Sequence, residues 1–414
     1  MAQNRNHRHH RHYRAPRRER YVSPKTKLTV FLVAMAVIAI GVLVVALING
    51  WIRLPEPQDQ PPETAAPTQP PEDTVIHLVA GGNVNITDKT VAAGSSESDY
   101  SSIFLDVLPV LSGADLTMLN FEGNVYGPPY GSQQSSAPTA LLQALKNAGT
   151  DILQTANTEA LTNGLLGLAA TNQAIRDAGM APLGTYADEA EFQQHQGFAI
   201  YEIQGIRIAL VAFTKGMDGR NLPAGSENCV NLLYTDYSST YKSVNEAGIT
   251  AVLREAEKEQ PDLTIALLHW GGENTDQVNS TQKKICRLMA GLGVDAIIGT
   301  HSHLVQKMGW YEDTGMFVAY SLGDLVGDAE AIGTHYSALL DLTVTRDGKT
   351  GQVRITGYDY IPVYQHYDEN GKLQLLRIRQ AMAAYENDYI GKVSQDIYNI
   401  MKSALANIET RVNG

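Results

Sequence analysis

Cysteine is scarce in this chain. Its 414 residues include only Cys229 and Cys286, too few for a disulfide framework. Two buried free thiols are the expectation; one bridge between them is the other arrangement the pair allows. Basic charge is also scarce once the first residues are passed. Residues 1–27 hold nine Lys or Arg against one acid, Glu19, an excess of +8; the net charge is -12, so the remainder carries -20. A body that acidic repels nucleic acid, and no nucleic-acid partner is expected. Residues 28–48 (LTVFLVAMAVIAIGVLVVALI) lack charge altogether. Apolar residues are not lacking: at 43% hydrophobic the chain can bury a sizeable core, which excludes wholesale disorder.

The uncharged run matches the roughly 20 residues that cross a bilayer as a helix. A strongly basic flank precedes it, and Trp51 and Arg53 follow as interface anchors. That asymmetry predicts a single-pass cell-membrane protein with a cytoplasmic amino terminus and an extracellular body. A cleaved signal peptide would have a shorter apolar region and a small-residue cleavage site, so an uncleaved signal anchor is preferred. Residues 1–27 read as a basic cytoplasmic tail beside anionic lipid. Residues 49–74, rich in Pro, Gln and acid, read as an extended stalk. The body is expected over 75–365, followed by a helical extension over 366–414.

Within the body, apolar runs repeatedly end in short polar tags. The runs Val75–Ala80, Ala114–Leu119, Thr150–Thr155, Gly205–Phe213, Asp262–Leu268, Val294–Ile298 and Met316–Tyr320 read as strands. Leu165–Ala178 and Ser280–Leu292 have helical spacing. Strand, helix and strand over 262–298 form a βαβ unit, and ligands of α/β sheets gather at the carboxyl ends of such strands. His269, His301 and His303 therefore fall on one rim. If residues 301–303 are extended, both imidazoles of the His-x-His pair point the same way and reach one ion. Leu339–Arg346, Gly351–Gly357 and Tyr358–Tyr364 read as antiparallel strands completing a second sheet. Residues 378–408 read as one or two helices.

The tags, in order, are Gly82-Asn83, Asn120-Phe121-Glu122, Ala156-Asn157-Thr158-Glu159, His269-Trp270-Gly271, Gly299-Thr300-His301-Ser302-His303 and Ser321-Leu322-Gly323-Asp324. Their series resembles the CapA family of poly-γ-glutamate capsule synthesis proteins. The family's own tags are Gly-Asp, Asn-Leu-Glu, Ala-Asn-Asn-His, His-Trp-Gly, Gly-x-His-x-His and Ser-Leu-Gly-Asn. The likeness runs from about Val75 to Val363 and implies an α/β metallophosphatase-like fold of two facing sheets flanked by helices. It further implies metal ligands at Glu122, His269, His301 and His303, with Mn, Zn or Fe as the divalent ion. Asn83, Asn120, Asn157 and Trp270 become candidate contacts for substrate. The implied role is synthesis, export or anchoring of an anionic surface polymer, with that polymer or capsule-synthesis membrane proteins as partners.

The chain departs from the family at telling places. Asn83 replaces the first Asp, Thr158 and Glu159 replace Asn and His, and Asp324 replaces the last Asn. A neutral amide is a poorer ligand for a hard cation, and a carboxylate at 159 repels a phosphate substrate. Two accounts remain open. In one the site is rewired: Asp324 supplies the missing carboxylate about one hydrogen bond, roughly 2.7–3.2 Å, from Asn83, and Glu159 becomes the base of a metal-assisted hydrolase or transferase. In the other the metal site is degenerate, and the rim binds or positions a polymer.

Overall fold

The uncharged run folds as one helix, Pro24–Ile48. Pro24 occupies the first position, where its missing N–H is not needed. The helix is apolar on every side, with Leu28, Phe31, Ile38 and Leu43 among its exposed side chains, so it has no polar face to offer water. Its 25 residues span about 38 Å at ~1.5 Å per residue, enough to cross a ~30 Å hydrocarbon layer.

The computed structural model describes residues 24–51, 72–94, 99–311 and 314–414. The basic stretch up to residue 23 and most of the expected stalk, 52–71, lie outside the described residues. The chain forms two compact units, Met1–Gln69 and Pro70–Gly414. All that follows concerns the second.

It is built from two facing sheets. Strands β1 (Thr74–Asn85), β2 (Leu116–Glu122), β3 (Ile152–Gln154) and β4 (Ala181–Leu183) run parallel in the first. The chain then crosses to the second sheet. There β5 (Phe198–Ile203) pairs antiparallel with β6 (Ile206–Thr214), and β6, β7 (Leu263–His269) and β8 (Ala296–Thr300) run parallel. Strands β9 (Met308–Trp310) and β10 (Phe317–Ala319) finish that sheet. The chain returns to the first sheet with β11 (Asp324–Val326), β12 (Tyr336–Arg346), β13 (Val353–Tyr367) and β14 (Leu373–Arg377). The first sheet has the order β14-β13-β12-β1-β2-β3-β4 with β11 beside β1, and the second β5-β6-β7-β8-β10-β9.

Continuous apolar runs arise because each central strand is covered on both faces. In β1, Ile76, Leu78 and Ala80 point into the core between the sheets, while Val79 and Val84 face the helices outside. In β6, Ile208, Leu210 and Ala212 point inward, and Val211 and Phe213 outward. Helices Thr139–Asn147 and Gly164–Asp177 add Leu141, Leu145 and Ile175 to the outer layer of the first sheet. Helices Glu246–Lys258 and Ser280–Gly291 do the same for the second with Ile249, Leu253, Ile285 and Met289. Cys229 and Cys286 are free and buried. Burial pushes both thiols up to about 11, so neither is a ready nucleophile.

Three expectations change. The segments 351–357 and 358–364 are one strand, β13, which pairs with β12 inside the first sheet and completes no second one. A register shift between Thr343 and Val344 bulges out Thr356, next to Gly357, without ending the ladder. The boundary placed at 365 falls within β13, and residues after it begin with a further sheet strand, β14. The helices Ile378–Glu386 and Gln395–Asn413 follow, and the second seals the inter-sheet core with Met401, Ala404, Ile408 and Val412. The segment is therefore integral to the body. Strand β5 lacks a sequence signal because it is an edge strand with no fully buried side chain.

One close approach sets the rim. The first half of β1 pairs with β12 and the second half with β11, and its register with β2 slips between Ala80 and Asn83. A Cβ on Gly82 would lie 1.8 Å from the carbonyl oxygen of Gly323. Gly82→Ala should therefore destabilise the body by on the order of 3 kcal/mol, seen as a lower thermal midpoint. Gly357→Ala, with open space around its Cβ, should stay within about 0.5 kcal/mol of the parent. Equal midpoints for the two variants would refute this account of the crossing.

Candidate functional site

The rim of the first sheet carries a row of buried side chains, one from each adjacent strand end. Asn83 Nδ2 donates to Asp324 Oδ1 at 2.7 Å. Asn120 Nδ2 donates to Asn83 Oδ1 at 2.8 Å, and Asn157 Nδ2 to Asn120 Oδ1 at 3.1 Å. Asn157 also donates to the Phe121 carbonyl at 2.7 Å. Successive parallel strands bring these residues level: Asn83 is in register with Asp324 on one side and Asn120 on the other. Gln365 of β13 supports the row from behind, donating to the Asp324 carbonyl at 2.9 Å. The separation proposed for a rewired Asn83 and Asp324 is thus the one observed.

The second sheet closes over this row. Asn120 Nδ2 lies 3.3 Å from His269 Nδ1 at the end of β7. His269 Nε2 is 3.1 Å from Glu122 Oε1 and 3.0 Å from His301 Nδ1. Thr158 Oγ1 donates to Glu122 Oε1 at 2.8 Å, and Thr300 Oγ1 lies 3.0 Å from His269 Nδ1. One ligand atom from each of Glu122, His269 and His301 falls within 4.8 Å of the others, and all three residues are buried. Burial opposes the charge on Glu122, yet His269, then His303 and the Thr158 hydroxyl, hold its carboxyl down to about 2. Burial, reinforced by His269, Lys215 and His303, pushes His301 well below the usual imidazole range, so it is neutral.

Glu122 Oε2 has no hydrogen-bond partner although it is buried. An ionised buried oxygen left bare is costly. A divalent cation between it and the two imidazoles would satisfy it, and this mixed N/O set suits Mn, Zn or Fe. The three residues therefore fit a metal.

The His-x-His pair behaves differently from its expected geometry. Residues 301 and 303 are not extended: His301 has φ 92° and His303 φ 62°. Each such conformation costs a non-glycine residue about 1–3 kcal/mol. Ser302 holds the loop, its hydroxyl donating to the Leu304 carbonyl at 2.7 Å and its carbonyl accepting from Asn274 N at 2.9 Å. The two rings consequently diverge. His303 Nδ1 turns to Asp324, 2.9 Å from Oδ1 and 3.1 Å from Oδ2. Burial works against its charge, but Asp324 lifts the imidazole to about 10, so the two form an ion pair beside the trio and His303 stands apart from Glu122, His269 and His301.

Two other candidates have different places. Trp270 does not face a substrate. It is fully buried behind the second sheet, stacks on Tyr320 at 5.7 Å and donates Nε1–H to the Tyr320 carbonyl at 2.9 Å. Its backbone sits one residue past the rim, and strand alternation turns its ring away from the His269 side. Gly299 makes room for that indole, since a Cβ there would lie 2.5 Å from Trp270 Nε1. Glu159 is half-buried, and its carboxylate accepts from the Thr162 hydroxyl of the same turn. Thr158, not Glu159, reaches the trio. Two residues at the site were absent from the sequence candidates: Thr300 and Lys215, whose Nζ is 3.1 Å from His301 Nε2. Lys215 directly follows β6, so the strand-end rule that located the other tags would have found it.

A family model described as bacterial capsule synthesis protein PGA_cap matches residues 77–329. The PGA biosynthesis protein CapA of Bacillus subtilis is 26% identical over 272 residues, 64% of this chain and 67% of that protein. The capsule biosynthesis protein CapA of Bacillus anthracis is 25% identical over 258 residues, 61% of this chain and 59% of that one. Among solved structures, a phosphatase from Mycoplasma pneumoniae aligns over 71% of this chain and 95% of its own, with 17% identity and a TM-score of 0.42. The calcineurin-like phosphoesterase YfkN from Bacillus subtilis aligns over 83% and 100%, with 13% identity and a TM-score of 0.42.

Asn83→Asp would set a second carboxylate against Asp324. With no metal, stability should fall by on the order of 2 kcal/mol from like-charge crowding. Added Mn or Zn should raise the variant's melting temperature more than the parent's. A metal-free variant as stable as the parent would show that the row tolerates a second charge.

Proposed function

The chain belongs to the bacterial capsule synthesis protein family PGA_cap, and from that premise we propose that it acts in synthesis, export or anchoring of a poly-γ-glutamate-like surface polymer. In this reading the Pro24–Ile48 helix is a signal anchor, with the basic residues before it inside the cell and the body outside. The stretch expected as the stalk over 49–74 acts as one up to Asp73, ahead of β1. The polymer and membrane proteins of capsule synthesis would be the chain's partners.

At the rim we assign one divalent cation to Glu122, His269 and His301. The observation that carries this is the buried carboxylate of Glu122, clustered with the two imidazoles and left with a bare Oε2. A cation so held would polarise an oxyanion or activate a water molecule. The chain's own groups prepare that position: Thr158 and Asn120 orient Glu122 and His269, and the neutral His301 offers a lone pair. The neighbouring group that could have formed a second metal position is consumed internally, because Asp324 is taken by Asn83 and His303. With Glu159 engaged by Thr162, a binding or assembly role is favoured over phosphoryl chemistry that needs two metals and a free base. The second reading, a metal-dependent hydrolase of a cell-envelope substrate, is favoured by one feature: three protein ligands are the number typical of catalytic sites with an open position.

Metal analysis of the purified, detergent-solubilised chain should find about one equivalent of Mn, Zn or Fe, the complement of a single three-ligand site. His301→Ala and Glu122→Gln should lose it while remaining folded. A folded parent that stays metal-free under saturating Mn, Zn and Fe refutes the cation. Hydrolysis of a chromogenic phosphodiester that vanishes with His301→Ala would select the hydrolase reading.

A further inference from the structure

Asp324 already neutralises the His303 imidazole, whereas the ammonium of Lys215 has been given no work above. Its Nζ lies 3.1 Å from His301 Nε2, 3.3 Å from the Gly271 carbonyl oxygen and 4.6 Å from the centroid of the Tyr241 ring. Among the described residues no carboxylate lies within ion-pair distance of it, although the body is strongly acidic. Glu273 and Asp218 act on it only at longer range, and burial lowers its pKa from the usual lysine value.

The platform beneath the ammonium is built, not incidental. Tyr241 sits in the left-handed region at φ 53°. Asp236 pins its turn by accepting from Thr240, from Lys242 N at 3.0 Å and from Ser243 N at 3.0 Å. Gly216 allows the close packing: a Cβ there would lie 2.1 Å from the Tyr237 carbonyl and 2.9 Å from Tyr241 Cε1. Backbone strain and a tailored glycine are thus spent on fixing one aromatic face under one lysine.

Hydrogen-bond chemistry indicates what the lysine is for. An ammonium only donates, so in its contact with Lys215 the acceptor is His301 Nε2. A cation held by His301 Nδ1 needs the lone pair there, which puts the ring proton on Nε2. Nε2–H and the ammonium then face each other as two donors. The ammonium must find another acceptor, and the Gly271 carbonyl takes only one of its three protons. We infer that Lys215 is the anion-positioning residue of this rim: with the cation in place, its ammonium binds an oxyanion of the ligand, a carboxylate or a phosphate, seated beside that cation. The inference rests on the cation reading above and adds the class of group recognised.

The test uses the solubilised full chain, with Mn as the metal and inorganic phosphate or glutarate as separate anion probes, followed by calorimetry and thermal shift. The Mn-loaded parent should bind one of the two anions, and the metal-free parent should bind it at least about tenfold more weakly. Lys215→Met should keep or improve Mn affinity, since the opposing donor is gone, and weaken the anion at least about tenfold. Lys215→Arg should recover part of that loss. Tighter glutarate would identify a carboxylate polymer as the source, tighter phosphate a phosphoryl group. If Lys215→Met binds Mn and anion as the parent does, this inference alone falls. If it loses Mn as well, the lysine is structural and the inference also falls. If the parent binds no Mn, Zn or Fe, this inference falls together with the cation reading.

Discussion

A row of four buried polar side chains, Asp324, Asn83, Asn120 and Asn157, hydrogen-bonded across neighbouring strand ends, is the constraint on which the site depends. Buried amides and carboxylates are tolerated only when their donors and acceptors are matched. Matching four of them in line requires the strands to stop level with one another. That in turn requires β1 to exchange β12 for β11 midway, at the Gly82–Gly323 crossing where no side chain fits. The polar row, the register slip and the glycine pair are one structural solution.

The row also explains how the chain departs from its family pattern while keeping its fold. An amide at 83 can donate to Asp324 and accept from Asn120 at once, which a carboxylate cannot do. The charge moves from β1 to β11, remains one hydrogen bond away, and is neutralised by His303. The rim is thereby divided into a satisfied half and an unsatisfied half. In the unsatisfied half, the carboxylate of Glu122 clusters with two imidazoles and keeps one oxygen bare. The same atoms that hold the strand row together, Asn83 and Asp324, are thereby engaged with one another and with His303.

Three strained positions lie on the opposite wall. His301 and His303 both hold left-handed backbone, and Tyr241 does so under Lys215. None of these positions is a glycine, so the surrounding hydrogen bonds must compel the conformation. Together they separate two imidazoles that sequence proximity would have placed side by side, and they hold a lysine over an aromatic face.

Much was legible from the residues alone. Apolar runs ending in polar tags marked β1, β2, β3, β6, β7 and β8, because parallel strands covered on both faces leave an unbroken apolar signature. The apolar helix was legible for the same reason, apolarity on every side. Edge strand β5 and the continuity of β13 were not, since half-buried strands leave mixed patterns. Sequence by itself determined which segments are buried and which polar residues stand at their ends, because burial periodicity is a local property. Tertiary structure decided which of those residues meet. His303 took Asp324, Trp270 turned to the core, Glu159 turned aside, and Lys215 joined His301 across 86 residues of chain. Such partnerships are set by strand register and loop dihedrals, which no local pattern encodes.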